Sequence, residues 1–407
     1  MPMDVTETDH GEQVLIVGLG VVGRAIAADH VRHGVSVWVA DQDPSVVHRV
    51  GRELADRFTC DVRMATAASP MADGFRCPLA RSLLNPRSGY RETGRDSPGR
   101  KSGWLVIESI AERLDLKQAF FRDAESWFEG DVVFGSNTST LSVLRIGDQM
   151  QRPERLCGLH FFMPVVGRPA CEWIASERTG RRTLETCVRH ARRTHKTLIP
   201  VADRPGFVVN RMLTPYLNEA FWLLCGGISE RDIRRAALRF GMPMSPLELV
   251  DHIGARTAFD GGRVVWQAFP KRIVPSPLLP ALVKRGFLGR QWRQGIYDYD
   301  SLGRRSGAGL AAGVGDLVNR YRHDEVQKDL QVARGAGFDL IYWVAGRLAN
   351  AIVGEAELIV EEGVASQSDV FVLATRGLGF FPSDQPAAFW DSRQRFRQPL
   401  SNSNTAS

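Results

Sequence analysis

Apolar positions along the chain fall into two regimes. Up to about residue 202 they form short aliphatic or β-branched runs at 13–17, 35–40, 104–108, 131–135 and 156–162, each bounded by glycine or polar residues. Runs of that length and composition predict buried strands. Between them, a helical stripe passes through Ile26, Ala27 and Val31 and is closed by Gly34, and a second spans 114–128. Strand and helix in alternation predict an α/β domain with a Rossmann-type, doubly wound parallel sheet over 12–202. From 203 onward helical spacing dominates, which predicts an all-α C-terminal region whose first long helix runs to Cys225-Gly226-Gly227.

That helical region contains a weak repeat. RMLTPYLNEA at 211–220 lines up with RLANAIVGEA at 347–356, and Gly227-Ile228 matches Gly363-Val364 at the same offset of 136. The second copy has Gly346 where the first has Asn210. The pattern predicts a first helical domain at 203–300, a polar linker at 301–329, a degenerate second repeat at 330–398 and a disordered tail at 399–407. One segment breaks the first regime. Residues 74–103 are rich in Pro, Gly, Ser and Arg without sustained periodicity, as expected of a mobile surface insertion.

With 407 residues, 43% of them apolar and 24% charged, the chain has the make-up of a soluble globular protein of two or three domains. The start, 1–12, is polar and acidic, and the apolar run at 14–22 is short and interrupted by Gly18 and Gly20. Neither a signal peptide nor a membrane span is predicted, and the cytoplasm is the expected compartment. Six scattered cysteines without metal-type spacing predict reduced, buried thiols and no metal site. The net charge of +6 has a local origin, since 74–103 holds seven basic residues against two acidic ones. A patch confined to one loop argues against nucleic acid and for an acidic local partner.

Candidate chemistry begins at the first turn. Strand 13–17 runs into Gly18, Gly20 and Gly23 in GLGVVG, then a helix, a second strand and Asp41. This order is that of a dinucleotide site: glycines let the backbone approach a pyrophosphate, and the helix N-terminus offers N–H donors. Asp41 would accept from both ribose hydroxyls and repel a 2′-phosphate, which favours NAD over NADP. Two later segments, ESIAE at 108–112 with Lys117 and SNTST at 136–140, leave strand ends where such sheets bind ligands. Their short polar side chains suit contacts to a ribose, an amide or a substrate oxygen, or equally capping of the next helix. GLHFFMP at 158–164 then places His160 in apolar surroundings, twelve residues before Glu172. Two strands joined by a Pro/Gly-containing loop would lay the carboxylate beside the imidazole, orienting a general base. A histidine in a strand is more often a plain core residue, and spacing alone does not separate the two.

Taken together, GLGVVG with Asp41, VIESIAERLDLK, SNTST, GLHFFMP with Glu172, PGFVVNR, PMSPLELVDHIG and FLGRQWRQGIYDYD resemble the L-3-hydroxyacyl-CoA dehydrogenases over about 13–300. EEGVAS and GLGFFP within 330–390 resemble the second C-terminal repeat of the bacterial multifunctional fatty-acid oxidation subunit, without its hydratase/isomerase part. The resemblance implies NAD-dependent oxidation of a 3-hydroxyacyl thioester. It makes His160 the base, Glu172 its orienting acid, Ser139 and Asn210 holders of substrate oxygens, and Glu112, Lys117 and Asn137 cofactor-contacting positions. It also implies a homodimer through the helical domain, or a monomer in which the second repeat takes the partner's place. Met163 stands where the family has asparagine, and 166–171 (VGRPAC) is less aliphatic than in the family. The acyl group would ride on CoA or, given the basic loop, on an acidic acyl carrier protein. A dehydrogenase of a free hydroxy acid and a non-catalytic NAD-binding protein are the other readings of the same residues.

Overall fold

Five uninterrupted apolar residues or so, rich in valine and isoleucine, are too short for a stable helix and pack well on both faces of a sheet. The computed structural model, which describes residues 13–58, 61–65, 103–128, 131–380 and 385–396, forms strands from each such run. These are β1 (Gln13–Val17), β2 (Val37–Ala40), β4 (Trp104–Glu108), β5 (Val132–Ser136) and β6 (Leu156–Phe161), joined by β3 (Val62–Met64), β7 (Ala170–Ala175) and β8 (Thr197–Ala202). They make one eight-stranded sheet in the order β3-β2-β1-β4-β5-β6-β7-β8. Every neighbouring pair is parallel except β6 and β7, which run antiparallel. The helices of this first unit are α1 (Val21–Arg32), α2 (Pro44–Arg57), α3 (Leu114–Ala124), α4 (Val143–Ile146) and α5 (Arg181–Arg193). Val14, Ile16, Ile26, Val37, Val39, Leu105 and Ile107 lie in its core, all essentially without exposure.

The strand order reverses beside β1, between β2 and β4, and ligands of such sheets bind outside the carboxyl ends at that reversal. Strands β3 and β8 are not evident in the hydropathy. β3 has only three half-buried residues, and β8 (TLIPVA) contains Pro200, which an edge strand tolerates. The helix expected over 114–128 ends at Ala124 and continues as a 3-10 turn at Glu125–Trp127.

The chain divides into two compact units, Met1–Asp203 and Arg204–Ser407. The second is helical: α6 (Val209–Cys225), α7 (Glu230–Phe240), α8 (Pro246–Ile253), α9 (Ala255–Ala268), α10 (Leu278–Lys284), α11 (Val314–Arg320), α12 (Glu325–Gly335), α13 (Leu340–Glu361), α14 (Gln367–Val372), α15 (Pro386–Trp390) and α16 (Ser392–Arg395). A two-residue antiparallel ladder, Asp298–Tyr299 with Arg305–Ser306, is its departure from all-α.

The stretch 301–329, expected from its polarity to be a linker, instead contains α11 and the start of α12. Val314, Leu317, Val326 and Leu330 are buried. Gln327 donates to the carbonyl of Gly226 at 2.6 Å. An apolar stripe of one residue per turn among many charges hides such short helices from periodicity. The basic stretch 74–102, the N-terminal 1–12 and the tail 397–407 lie outside the described residues. No helix among the described residues is long and apolar enough to cross a membrane.

Candidate active site

The glycine turn is built for close approach. Gly18 has φ +88°, a conformation L side chains rarely adopt, and a Cβ there would lie 2.6 Å from the Ser109 carbonyl oxygen. A Cβ on Gly23 would lie 1.8 Å from the Gly18 carbonyl oxygen, so only glycine lets α1 start this close to β1. Gly20 differs: nothing lies within 4 Å of where its Cβ would be. That open space sits at the N-cap of α1, which has no side-chain cap and no acidic residue in its first turn. Backbone N–H groups without intrahelical acceptors therefore face room for a phosphate. Asp41, one residue beyond β2, accepts from the Leu19 N–H at 2.7 Å and from the Asp43 N–H at 3.0 Å. Its carboxylate thus stands beside the turn, where a ribose diol would meet it. These residues fit the dinucleotide that the sequence predicts.

The second element is the end of β6. His160 and Glu172 are direct partners in the β6–β7 antiparallel ladder. Glu172 Oε2 lies 2.5 Å from His160 Nδ1, with the carboxylate wholly buried and the histidine 7% exposed. A carboxylate can only accept, so Nδ1 carries the proton and the basic lone pair resides on Nε2. Phe162 meets the imidazole edge to face at 5.2 Å between ring centroids. Burying a lone carboxylate costs several kcal/mol, and the imidazole is the counterpart that offsets it.

The third element joins the carboxyl ends of β4 and β5. Asn137 receives the Phe161 N–H on Oδ1 at 3.0 Å and donates to Ser109 Oγ at 3.2 Å, which ties the neighbour of His160 to the turn after β4. Glu112 Oε1 accepts from the Thr138 hydroxyl (2.7 Å), the Ser139 N–H (2.8 Å), the Thr140 N–H (3.0 Å) and the Thr140 hydroxyl (3.2 Å). Burial alone would push the Glu112 carboxyl up, but the Lys117 ammonium and these hydrogen bonds outweigh it and hold it below the usual range. Lys117 has no exposure and donates to Glu108 at 2.5 Å, with Glu112 at 3.5 Å.

So His160, Glu172, Asn137, Ser139, Glu112 and Lys117 gather at the strand ends of the first unit, with Gly18, Gly20, Gly23 and Asp41 along the same edge. Asn210 belongs to the second unit, in the first turn of α6. The predicted set omits Glu108, Ser109 and Thr138. Glu108 has a legible signal, a charge ending the otherwise apolar strand WLVIE, because a buried charge needs a partner. Thr138 has none beyond lying between Asn137 and Ser139, and Ser109 none beyond leaving the end of the same strand.

Comparisons with known proteins supply the family. Residues 13–204 match the family model for the 3-hydroxyacyl-CoA dehydrogenase NAD binding domain, and residues 206–299 match that for the 3-hydroxyacyl-CoA dehydrogenase C-terminal domain. Among solved structures, 3-hydroxybutyryl-CoA dehydrogenase from Escherichia coli K12 superposes with a TM-score of 0.68 at 23% identity, covering 95% of this chain and 93% of its own. (S)-3-hydroxybutyryl-CoA dehydrogenase PaaH1 from Ralstonia eutropha is 26% identical over 71% of this chain and 99% of its own, with a TM-score of 0.57. The dehydrogenase part of multifunctional enzyme 1 from C. elegans, 20% identical, covers 91% of this chain and 78% of its own at a TM-score of 0.58. The glycine turn, the buried histidine–carboxylate pair and two consecutive family matches place this chain in the 3-hydroxyacyl-CoA dehydrogenase family, NAD-dependent oxidoreductases.

Proposed function

We propose that His160 is the general base of a 3-hydroxyacyl thioester dehydrogenase, taking the proton of the 3-hydroxyl on Nε2 as the alcohol becomes a ketone. The observation that carries this is the 2.5 Å contact between Glu172 and His160 Nδ1 in a directly paired register. Glu172 keeps the lone pair on Nε2 and stabilises the imidazolium once the proton has moved. NAD, when bound, supplies the hydride acceptor. Gly18, Gly20, Gly23 and Asp41 hold its pyrophosphate and ribose, and Glu112, Lys117 and Asn137 contact it at the strand ends. Ser139 and Asn210 hold the substrate's oxygens, so that the hydroxyl is polarised where the base meets it.

The acyl carrier is CoA or the phosphopantetheine arm of an acyl carrier protein. The basic stretch 74–103 keeps the second open as an alternative, because carrier proteins are acidic. The two helical repeats support a monomer with an internal pseudo-dimer (residues 203–300 and 330–398). The four described cysteines, Cys157, Cys171, Cys187 and Cys225, are buried, and the cytoplasm stays the compartment proposed for the chain.

The test is NADH formation from NAD with 3-hydroxybutyryl-CoA, then with the matching carrier-protein thioester. Turnover is expected, and His160→Gln should lower kcat by about 10²- to 10⁴-fold with NAD affinity retained. Loss of NAD affinity in that variant would remove His160 from the base's role. NADH from a free hydroxy acid alone would replace the thioester, and none from any substrate would leave an NAD-binding protein.

A further inference from the structure

We propose that Arg168 is a specificity-determining residue: its guanidinium receives an oxyanion that the substrate carries away from the carbon being oxidised. That oxyanion is a carboxylate ending the acyl chain or a phosphate of the carrier. The inference deepens the proposed function and rests on a 3-hydroxyacyl thioester being the substrate.

Arg168 lies on the segment that joins the base to its acid. β6 is parallel to β5, and β5 to β4, so the carboxyl ends of all three open on one edge. The chain leaves that edge after Phe161 and returns as β7 to set Glu172 opposite His160. Arg168 stands four residues before Glu172, at most about 14 Å of extended chain away. It is the sole charged residue of 162–169.

The backbone there is fixed without help from the arginine side chain. The Arg168 N–H donates to the Val165 carbonyl at 3.3 Å, and Gly167 between them has φ +88°. A type II β-turn needs that positive φ at its third residue. Lys196 clamps both ends of the turn, donating to the carbonyls of Val165 at 2.7 Å and Arg168 at 2.9 Å. The same ammonium pairs with Asp29 at 2.8 Å, and both groups are buried. All three of its protons are thus committed, and so is the acid.

The guanidinium is what this network leaves over. It is half-buried and makes no hydrogen bond or ion pair among the described residues. Burial pushes it below its ordinary value with no carboxylate to oppose the shift, although an arginine keeps its charge. Withdrawing a cation from water without a counter-ion costs free energy. An anion brought by a ligand recovers it, and the planar fork matches carboxylate and phosphate alike.

The experiment compares wild type, Arg168→Met and Arg168→Lys in the full chain, by steady-state oxidation with NAD and by calorimetric titration. The probes are 3-hydroxyhexanoyl-CoA, 3-hydroxyhexanedioyl-CoA and the N-acetylcysteamine thioesters of both acids, which lack phosphate. With an acyl carboxylate as the ligand, Arg168→Met should raise KM about 10- to 100-fold for the two hexanedioyl thioesters and less than about threefold for the others. With a carrier phosphate, the same rise should fall on the two CoA thioesters instead. Arg168→Lys keeps the charge and loses the fork, so it should recover part of the affinity. Equal changes for all four thioesters, or none, overturn the proposal, because a merely structural arginine would not distinguish them. NADH formation indifferent to Arg168 removes this inference and keeps the oxidation. Thioesters that bind in an Arg168-dependent way without turnover do the reverse, and no binding to wild type overturns both.

Discussion

The two repeats of the helical unit meet through the same pair of residues and differ in what surrounds that pair. Arg211 of α6 pairs with Glu355 of α13 at 2.5 Å, and Arg347 of α13 pairs with Glu219 of α6 at 2.6 Å. The offset of 136 that relates the copies maps each ion pair onto the other. A contact in which i meets j while j meets i is the signature of a two-fold interface, here formed inside one chain. The two ends are not equal. Arg211 is wholly buried, lies over Phe269 at 4.5 Å and has a second carboxylate, Glu362, at 2.7 Å, with Arg272 over the same ring at 4.7 Å. Arg347 is partly exposed, lies over Trp343 at 5.2 Å and reaches Asp329 at 3.0 Å. It borders a cleft of about 980 Å³ floored by Trp222, Phe338 and Trp343. Phe269 and Arg272 close one end, whereas at the same offset the counterpart of Phe269 falls in the tail, outside the described residues. A duplicated helix thus keeps its interface while only one copy retains the polar residue proposed for chemistry, Asn210 against Gly346.

The largest effect should come from breaking the closed end. Arg211→Met leaves the buried Glu355 with only Arg272 beside it, and should cost about 3–5 kcal/mol in denaturant unfolding. The counterpart Arg347→Met, at the partly exposed end, should cost about 1 kcal/mol or less. Equal losses would mean that the ends are energetically alike despite their different burial.

Acid should separate the two units next. In the first, His30 Nδ1 donates to the Ile26 carbonyl at 2.7 Å, which leaves Nε2 to accept from His190 Nε2–H at 2.9 Å. Both rings are therefore neutral. Burial pushes His30 down to about 4 and His190 well below its ordinary value, with the Arg193 cation beside both, and Asp29 and Lys196 beside His30. The unfolded chain takes up protons near pH 6.5 that the fold refuses, so stability is full above that pH and falls toward pH 4, by about 3 kcal/mol for His30 alone. In the second unit, hydrogen bonds from Arg211 and then Arg272 hold Glu362 below its usual range, against a smaller opposing effect of burial. Its contribution is present above about pH 4.5 and is lost only below that. Hydrogen exchange on acidification should therefore rise in α1 and α5 before α6 and α13. The reverse order would refute this assignment.

The smallest effect tests the missing asparagine. A Cβ at Gly346 would lie 3.0 Å from the Phe396 carbonyl oxygen, a tight contact set against the helix propensity gained by losing glycine. Gly346→Asn should change stability by less than about 1 kcal/mol and leave NADH formation unaltered. Asn210→Gly, the mirror change, should lower kcat by about tenfold or more. Gain of activity in Gly346→Asn would show that the second copy still has a working site.

Legibility followed the range of the forces involved. The glycine turn was readable because Gly18 needs a positive φ and Gly23 must clear the nearby Gly18 carbonyl, both demands of the local backbone. The strands β1, β4, β5 and β6 were readable because burial on both faces requires unbroken apolar runs. Strand β8, with Pro200, and helix α11, with a thin apolar stripe, were not, since their neighbours rather than their own residues stabilise them. Lys117 was chosen and Glu108 was not, although the two share a hydrogen bond, because nothing in a linear motif says which carboxylate a buried ammonium will take.

What the chain determined by itself is local: a turn for a dinucleotide, an acid after the second strand, an imidazole in an apolar run and a helix repeated at an offset of 136. These depend on backbone conformation and on burial periodicity, which neighbouring residues specify. Tertiary structure decided the partners. It set Glu172 opposite His160 by ladder register, gave Lys117 to Glu108, and crossed Arg211 and Arg347 onto the other copy's glutamates. Each of those choices is an electrostatic one made in the protein interior, where the energy of a charge depends on what the fold brings within about 3 Å of it.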